Sequence, residues 1–422
     1  MLKRAFSPLD ARKYKIVILG GGSGGISVAA QLAKHPLLQG SKDLLIVEPS
    51  ATHYYQPFWT LVGAGLKTLQ SSAHPTQSLI PQGADWLTDS VTLVDPKSKV
   101  IITKSGAQVN YDYLVVATGI KLDWDSVPGL KETLGKNGVS SNYDVNSVQQ
   151  TAINLAEFKG GKAVFTQPST PIKCAGAPQK IAYLAEEIFR KHGIREKCHV
   201  DFYSGAPKIF AIDKYAEQLT KICQSRDINV HLNHNLVKIL PKKQAVFKNV
   251  QTNDSHVVDY DLLHVTPPMC PPPFIKESGL ADAAGWVNVD KETTQHLEYP
   301  NIFSLGDASS LPTSKTAAAV AAQSGVVSAN LISAIQGRPL TEKYDGYTSC
   351  PLVTGENKLI LAEFSGYTGK PQETFFYDQS KENSFNYMLK TKVFPNLYWK
   401  LMMKGLWSGP ASVRPILNPL KN

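Results

Sequence analysis

Cysteine is scarce in this sequence, and its placement argues against several kinds of protein. The chain has 5 cysteines in 422 residues. They are widely spaced and form no C-x-x-C pair, which disfavours a secreted disulfide framework, a structural zinc site and a thioredoxin-type motif. We therefore predict no metal site. No stretch has the about 18 uninterrupted apolar residues that a membrane span needs, and the polar side chains in the alanine-rich residues 316–335 predict a buried helix.

Acidic residues are absent after Glu382, so the end of the chain is strongly basic. A basic segment of this kind binds either nucleic acid or an anionic membrane. Aromatic and aliphatic residues are interspersed with the basic ones, which favours a membrane surface and argues against nucleic acid. The basic residues of this segment, which supply most of the net charge of +9, are Lys390, Lys392, Lys400, Lys404, Arg414 and Lys421.

A glycine-rich loop near the N-terminus predicts a dinucleotide site. Residues 16–19 are typical of a buried parallel strand, and a G-x-G-x-x-G motif follows, opening a helix predicted over residues 24–34. A second predicted strand ends in an acid that is suited to an adenosine ribose. The alternative is a structural glycine turn with an incidental surface acid. The predicted cofactor contacts are Gly20, Gly22, Ser23, Gly24, Gly25 and Glu48.

Two later signatures predict that the dinucleotide is FAD. A buried strand ends in Ala-Thr-Gly, and another apolar strand ends in Gly-Asp before the alanine-rich helix. The N-terminus of that helix would direct its dipole at the flavin edge where reduction places negative charge. Lys315 either adds a positive charge there or is a solvated lysine at the helix start. The residues concerned are Ala117, Thr118, Gly119, Gly306, Asp307, Lys315 and Thr316.

The region between these signatures is predicted to be a second dinucleotide fold that has lost its phosphate loop. Strands at residues 163–166 and 199–203 flank a helix at 178–191, but prolines, Lys173 and Cys174 occupy the loop where a G-x-G-x-x-G would stand. Proline has no N–H to offer a phosphate. We therefore infer that NAD(P)H is not the electron donor and that electrons enter through sulfur chemistry.

Cys174 is the candidate thiolate, because a lysine precedes it and a helix begins shortly after it. The alternative is an inert loop cysteine. Its candidate partner is Cys350, which the glycine and proline residues around 344–351 place in a predicted loop.

Several stretches of the chain resemble the eukaryotic sulfide:quinone oxidoreductases, the mitochondrial branch of the membrane flavoproteins related to disulfide reductases. They are residues 20–25, 56–59, 171–179, 312–323 and 344–351. The resemblance implies FAD as cofactor, Gln56 as a further cofactor contact, and Cys174 and Cys350 as the redox pair. Many bacterial relatives use a third cysteine earlier in the chain, and this sequence has none before Cys174.

The same resemblance implies a reaction. Sulfide attacks the cysteine pair in its disulfide or sulfur-bridged form, and Cys350 accepts the sulfur while Cys174 faces the flavin. Glutathione, sulfite or coenzyme A removes the sulfane sulfur, and the electrons pass through FAD to ubiquinone. The implied location is the matrix side of the mitochondrial inner membrane, as a monotopic protein. A homodimer is left open.

The C-terminal segment is predicted to lie on the membrane as two short amphipathic helices separated at Pro395, with lysines toward anionic lipid. The alternative is a tail packed on its own domain. Phe375 and Phe376 are candidate walls of a quinone site. At the other end, residues 1–14 form a basic arm, which is either a remnant of a targeting peptide or a disordered extension.

The predicted fold class is α/β, with two Rossmann-like dinucleotide-binding domains and a C-terminal amphipathic membrane-anchoring segment. After the basic arm, the FAD domain has its first half at residues 15–120 and its second half at 271–343, and the second domain is inserted at 121–270. The C-terminal domain spans residues 344–422. Two competing functions are a type II NADH:quinone dehydrogenase-like flavoenzyme and a non-enzymatic flavin-binding scaffold.

Overall fold

The computed structural model describes residues 12–40 and 43–419, so most of the predicted basic arm lies outside the described residues. The first sheet has the strand order Ala84–Leu87, Leu44–Val47, Arg12–Leu19, Gln108–Val116, Val100–Thr103, Val91–Asp95. Its strands are parallel as far as Gln108–Val116, and the last two form an antiparallel hairpin. Ile302–Ser304 joins the end of Gln108–Val116 in parallel, which brings the late Gly-Asp signature beside the early glycine loop.

The second sheet is parallel and is built entirely from the chain between those two signatures. Its strand order is Val139–Ser140, Leu262–His264, Gly161–Gln167, Cys198–Ser204, Ile228–Leu232. An antiparallel sheet of His234–Leu240, Gln244–Asn249 and Ser255–Asp259 follows it. A C-terminal antiparallel sheet consists of Tyr347–Gly355, Lys358–Ser365 and Lys370–Pro371. Short pairs join Thr52–Tyr54 to Ala73–Pro75, and Lys121–Leu122 to Met269–Cys270.

The α-helices of the described residues are Ser23–Leu32, Trp59–Gly63, Leu130–Thr133, Val148–Glu157, Ala177–Lys191, Asp213–Ser225, Pro273–Glu277, Ala317–Ile335, Ser384–Met388, Phe394–Lys400 and Arg414–Leu417. The first of these ends at Leu32 rather than at the predicted Lys34. The chain tightens after Leu32, where Lys34 N donates to the Gln31 carbonyl and His35 N to the Leu32 carbonyl, as often happens in the last turn of a helix.

The alanine-rich helix Ala317–Ile335 is the one helix of the described residues that is long and apolar enough to cross a membrane. In this fold it packs against Ser23–Leu32 and the strand Tyr347–Gly355. Ser27 Oγ donates a hydrogen bond to Ser324 Oγ at 3.0 Å across that contact. The helix therefore lies within the core, as its polar side chains predict.

Two local predictions are wrong. Cys350 does not lie in a loop but in the strand Tyr347–Gly355, where it pairs with Ala362. This strand is at the edge of its sheet, so the missing N–H of Pro351 leaves no ladder bond unmade. The tail is also not broken at Pro395. A π-helical turn at Leu389–Val393 joins the flanking helices, and Pro395 occupies the first turn of Phe394–Lys400, where its N–H is not needed.

The C-terminal segment packs on the protein more than the sequence predicts. Tyr398, Met402 and Met403 are buried, and the Trp399 ring lies 4.1 Å from that of His74. Lys390, predicted to face lipid, is only 3% exposed and donates to the Pro57 carbonyl at 2.8 Å. The alternative of a tail packed on its own protein therefore applies to these side chains.

Candidate active site

A cavity of about 690 Å³ opens where the first sheet, the second sheet and the C-terminal segment meet. Predicted site residues that line it are Gly20, Gly22, Ser23, Gly24, Glu48, Gln56, Ala117, Thr118, Gly119, Cys174, Gly306, Asp307, Lys315, Thr316 and Phe375. Three predicted residues do not line it. Gly25 lies under the glycine loop, Cys350 lies behind Cys174, and Phe376 is 73% exposed, away from the cavity.

The glycine loop is shaped by close backbone contacts. Gly20 has φ +97°, and a Cβ there would lie 2.4 Å from the Ala117 carbonyl oxygen. A Cβ on Gly25 would lie 1.8 Å from the Gly20 oxygen, so the helix packs this closely on the strand only with glycine. Around Gly22 a Cβ would meet nothing within 4 Å. The loop thus leaves open space at the N-terminus of Ser23–Leu32, where free N–H groups meet anions.

Two hydrogen bonds hold the Glu48 carboxylate beside the glycine loop. Its Oε2 accepts from Gly21 N and its Oε1 from Ser50 N, both at 2.7 Å. These two bonds fix the carboxylate at the carboxyl end of its strand, which is the position that suits a ribose.

Buried polar atoms at the cavity indicate that it holds a polar ligand. Thr118 Oγ1, Trp59 Nε1 and both amide atoms of Asn142 are buried without a hydrogen-bond partner among the described residues. All three side chains line the cavity. Because an unsatisfied buried polar group is costly, these atoms and the open glycine loop fit a bound dinucleotide.

The Gly-Asp signature and the start of the helix after it place charged groups at the wall of the cavity. Lys315 Nζ donates to the Asp307 carbonyl at 2.7 Å and lies 3.9 Å from the Trp286 ring centroid, so it is not a solvated lysine. Burial lowers the pKa of Lys315 to about 8, and burial raises the pKa of Asp307. Thr316 caps Ala317–Ile335 by accepting from Ala319 N at 3.1 Å, which aims the positive end of the helix dipole at the cavity.

The two predicted redox cysteines meet at the wall of the cavity. Cys174 and Cys350 are free cysteines with their Sγ atoms 3.9 Å apart. Cys174 has φ +54°, a left-handed conformation that is unusual for a side chain of this kind, and its N–H donates to the Lys315 carbonyl at 2.8 Å. A Cβ on Gly176 would lie 2.4 Å from Cys350 Sγ, so glycine is needed there for the two segments to approach.

The contact between the two sulfurs and two buried lysines together shift the pKa values of the pair. Lys180 Nζ lies 3.5 Å from Cys174 Sγ, and Lys390 is also buried beside the pair. The hydrogen bond from the Cys350 thiol and the two ammonium groups hold the pKa of Cys174 well below its usual value, against the opposing effect of burial. The same hydrogen bond, together with burial, raises the pKa of Cys350. Cys174 is therefore the sulfur of the pair that ionises more readily.

The pKa values of the two lysines shift in opposite directions. Burial lowers the pKa of Lys180, but the neighbouring cysteines outweigh that effect and the pKa is raised. Burial and the charge of Lys180 lower the pKa of Lys390 to about 7.

Sequence reasoning missed both lysines and two more residues of the site. Lys180 stands next to Ile181 on the buried side of a predicted amphipathic helix, and that position was a usable signal. Lys390 follows Leu389 within an apolar run, which is the same kind of signal. His53 and Tyr398, whose side chains meet at 2.6 Å, are 345 residues apart in sequence, and no local pattern connects them.

Comparison with known proteins gives the family. The description pyridine nucleotide-disulphide oxidoreductase matches residues 14–325. The mitochondrial sulfide:quinone oxidoreductases of Mus musculus and Dictyostelium discoideum are 48% and 50% identical to this chain over 407 and 410 residues. Each alignment covers 96% of this chain, with 90% of the mouse protein and 89% of the Dictyostelium protein. This chain belongs to the sulfide:quinone oxidoreductase family.

The fold agrees with that of a solved protein of this name. The sulfide:quinone oxidoreductase of Aquifex aeolicus superposes with a TM-score of 0.79 at 20% identity, covering 97% of this chain and 96% of that chain. Members of the family are flavoproteins, and the cofactor is FAD. The predicted resemblance, α/β fold class and cofactor are thus confirmed, while the domain boundaries and the roles of individual residues stay predictions.

Proposed function

We propose that this chain oxidises sulfide at the Cys174 and Cys350 pair and that FAD carries the electrons to ubiquinone. The observation that supports this most directly is the 3.9 Å contact of the two sulfur atoms beside the cavity. Cys174 stands in the loop where an NADH-dependent relative would hold the phosphates of its nicotinamide dinucleotide. The relatives' name supports sulfide and quinone as substrates. It favours neither an NADH:quinone dehydrogenase nor a scaffold protein.

The geometry suits a pair that opens and closes. A disulfide bond is about 2.05 Å long, so the two Sγ atoms, 3.9 Å apart, are unbonded here and need only approach each other to form the bond. In the oxidised pair, hydrosulfide attacks one sulfur, the S–S bond breaks, and its electron pair leaves on the other sulfur. The lower-pKa thiolate leaves faster. Because the pKa of Cys174 is the lowered one, Cys174 departs and Cys350 keeps the sulfane sulfur as a persulfide.

The cycle closes when the sulfane sulfur is removed. A nucleophilic acceptor, which we propose is glutathione, sulfite or coenzyme A, takes it and leaves Cys350 as a thiolate. The two thiolates then re-form their bond as two electrons leave the pair. FAD, when bound, supplies a two-electron acceptor that the quinone reoxidises. Cys174 is the sulfur that lines the cavity, so the electrons leave through it.

The mitochondrial names of the relatives support a mitochondrial location. We propose the matrix side of the inner membrane, with the C-terminal segment as the contact. Its exposed apolar side chains support this proposal, because amphipathic segments bind the interface through such residues. They are Phe385, Val393, Leu401, Leu406, Ile416 and Leu417.

The first test uses the visible absorbance of the bound flavin. Under anaerobic conditions we expect sulfide to bleach the band within the mixing time of a stopped-flow experiment and NADH to leave it unchanged. Sulfide reaches the cysteine pair, whereas the prolines and Lys173 leave NADH without a phosphate cradle. The reverse pattern would contradict the proposal. Dithionite serves as the control that the flavin is competent for reduction.

The second test concerns the membrane. Deleting the chain after Glu382 would also remove a wall of the cavity, so surface substitutions are sharper. We expect Leu406→Ser with Ile416→Ser to weaken binding to anionic liposomes about tenfold or more, since each change removes one apolar side chain from the interface. The measurement is co-sedimentation with the vesicles. Leu297→Ser is the matched control, because Leu297 and Leu406 are both 61% exposed. Equal effects of the two changes would count against the proposed surface.

A further inference from the structure

The C-terminal segment forms one wall of the cavity that holds the cofactor. Side chains of this segment that line it include Leu389, Phe394, Leu397, Tyr398, Met402 and Trp407. The glycine loop lies on the same cavity. The segment proposed to rest on the membrane therefore also forms a wall of the cofactor cavity.

A chain of buried hydrogen bonds links this wall to the glycine loop. His53 Nδ1 lies 3.0 Å from the Gly21 carbonyl oxygen, and His53 Nε2 lies 2.6 Å from Tyr398 Oη. Tyr398 Oη in turn lies 2.8 Å from Ser23 Oγ. His53 and Tyr398 are 5% and 3% exposed. Residues at the two ends of the sequence are thus joined through a single phenol.

The direction of each bond follows from the chemistry of its atoms. A carbonyl oxygen only accepts, so His53 Nδ1 carries a proton and donates it to Gly21. Burial lowers the pKa of His53 to about 4, so the ring is neutral and Nε2 is an acceptor. Tyr398 therefore donates to His53, and Ser23 donates to Tyr398. The Tyr398 phenol thus bonds both the loop serine and the histidine.

The backbone of the segment is fitted to the helix that begins at this loop. Gly405 has φ +67°, and a Cβ there would lie 2.7 Å from backbone atoms of Ala30 and Gln31. Lys34 Nζ donates to the Lys404 carbonyl. The segment thus rests on both the start and the end of the helix Ser23–Leu32.

We propose that Tyr398 is a positioning residue for the cofactor, and that the C-terminal segment is a latch that must leave its seat before FAD leaves the protein. Tyr398 orients Ser23 directly and the Gly21 carbonyl through His53, which fixes the phosphate loop. FAD binding and seating of the segment then stabilise each other, because coupling between two binding events is reciprocal. This inference does not depend on the cysteine chemistry.

The test begins with the loss of FAD from the holoenzyme. Tyr398→Phe keeps the ring but leaves the His53 acceptor and the Ser23 hydroxyl without their partner. We expect FAD to dissociate about tenfold faster, as followed by the rise of flavin fluorescence after dilution. Tyr387→Phe is the matched control, since Tyr387 belongs to the same segment and does not line the cavity. Equal dissociation rates for the two variants would overturn the proposal.

The second measurement reads the segment itself. Lys400 and Lys404 are exposed and lie within it, so trypsin cleavage there reports unseating. We expect cleavage of the wild-type holoenzyme to slow as free FAD is raised, and the Ser23→Ala holoenzyme to be cleaved faster at saturating FAD. If Tyr398→Phe does not fold, Ser23→Ala and His53→Asn carry the test. Cleavage that is independent of FAD in the wild type and unchanged in these variants would refute the latch.

Discussion

Cys174→Ser and Cys350→Ser should each lower sulfide-dependent quinone reduction by about a thousandfold or more, since each removes half of a nucleophilic pair. A serine hydroxyl at either position neither ionises near neutral pH nor forms the S–S bond that hydrosulfide attacks. The two sulfurs also depend on each other for their charge states. The measurement is the rate of quinone reduction with sulfide, and the two single variants and the double variant should be similarly inactive.

The half-reactions separate a chemical role from a loss of structure. Both variants should keep the flavin spectrum, be reduced by dithionite and then reduce the quinone at the wild-type rate, because the pair acts before the flavin. Cys270→Ser is the control, since this cysteine is partly exposed like Cys174 but does not line the cavity. Near-normal turnover with sulfide in either single variant would remove the pair from the mechanism.

The parts of the site that sequence reasoning predicted are those whose geometry is local. Gly20 and Gly25 act within one strand-turn-helix unit, so their spacing carries the whole argument. The loop around Cys174 was informative for a similar reason. Prolines have no backbone N–H to donate to a phosphate, so their presence is enough to exclude a phosphate-binding loop there. Asp307 was predicted from an equally local pattern, an apolar strand that ends in Gly-Asp, and the pairing of that strand with Gln108–Val116 brings it to the glycine loop.

The parts that sequence reasoning missed depend on contacts between distant segments. Cys350 was predicted in a loop because glycine and proline flank it, but pairing with Ala362 decides its conformation. Lys390 was predicted to face lipid, yet it is buried beside Cys174 because the thiolate and the Pro57 carbonyl give its ammonium group partners. Pro395 was predicted to break the tail, but it stands in the first turn of Phe394–Lys400, directly after a π-helical turn.

The buried lysines and the thiolate explain each other. A lone buried ammonium or thiolate is costly, and pairing offsets that cost only when the geometry is close. Lys180 Nζ lies 3.5 Å from Cys174 Sγ, so each of the two charges offsets the cost of burying the other. The pair is therefore tuned by a residue on the helix Ala177–Lys191, whose first residue, Ala177, donates its N–H to the Cys174 carbonyl at 2.8 Å.

Lys180→Met should shift the pH dependence of sulfide oxidation toward higher pH. A nearby positive charge lowers the pKa of a neighbouring acid by about 1–3 units, so its removal raises the pKa of Cys174. The active thiolate is present above that pKa and is lost as the pH falls through it. The acid limb of the rate of flavin bleaching by sulfide should thus move up by about 1–3 pH units, with a large loss of rate near neutrality and recovery in alkaline buffer.

Two matched variants decide whether charge is the cause. Lys180→Arg keeps the positive charge and should keep the acid limb near its wild-type position. Lys191→Met removes an exposed lysine from the same helix, one that pairs with Glu356, and should leave the profile unchanged.

Methionine fills a similar buried volume without a charge, so a loss of rate through unfolding would appear in the melting temperature and at every pH. A uniform loss of rate with an unmoved acid limb would mean that Lys180 supports packing rather than the thiolate. Recovery of the Lys180→Met rate at high pH, against an unchanged Lys191→Met profile, would show that the Lys180 ammonium group contributes to the lowered pKa of Cys174.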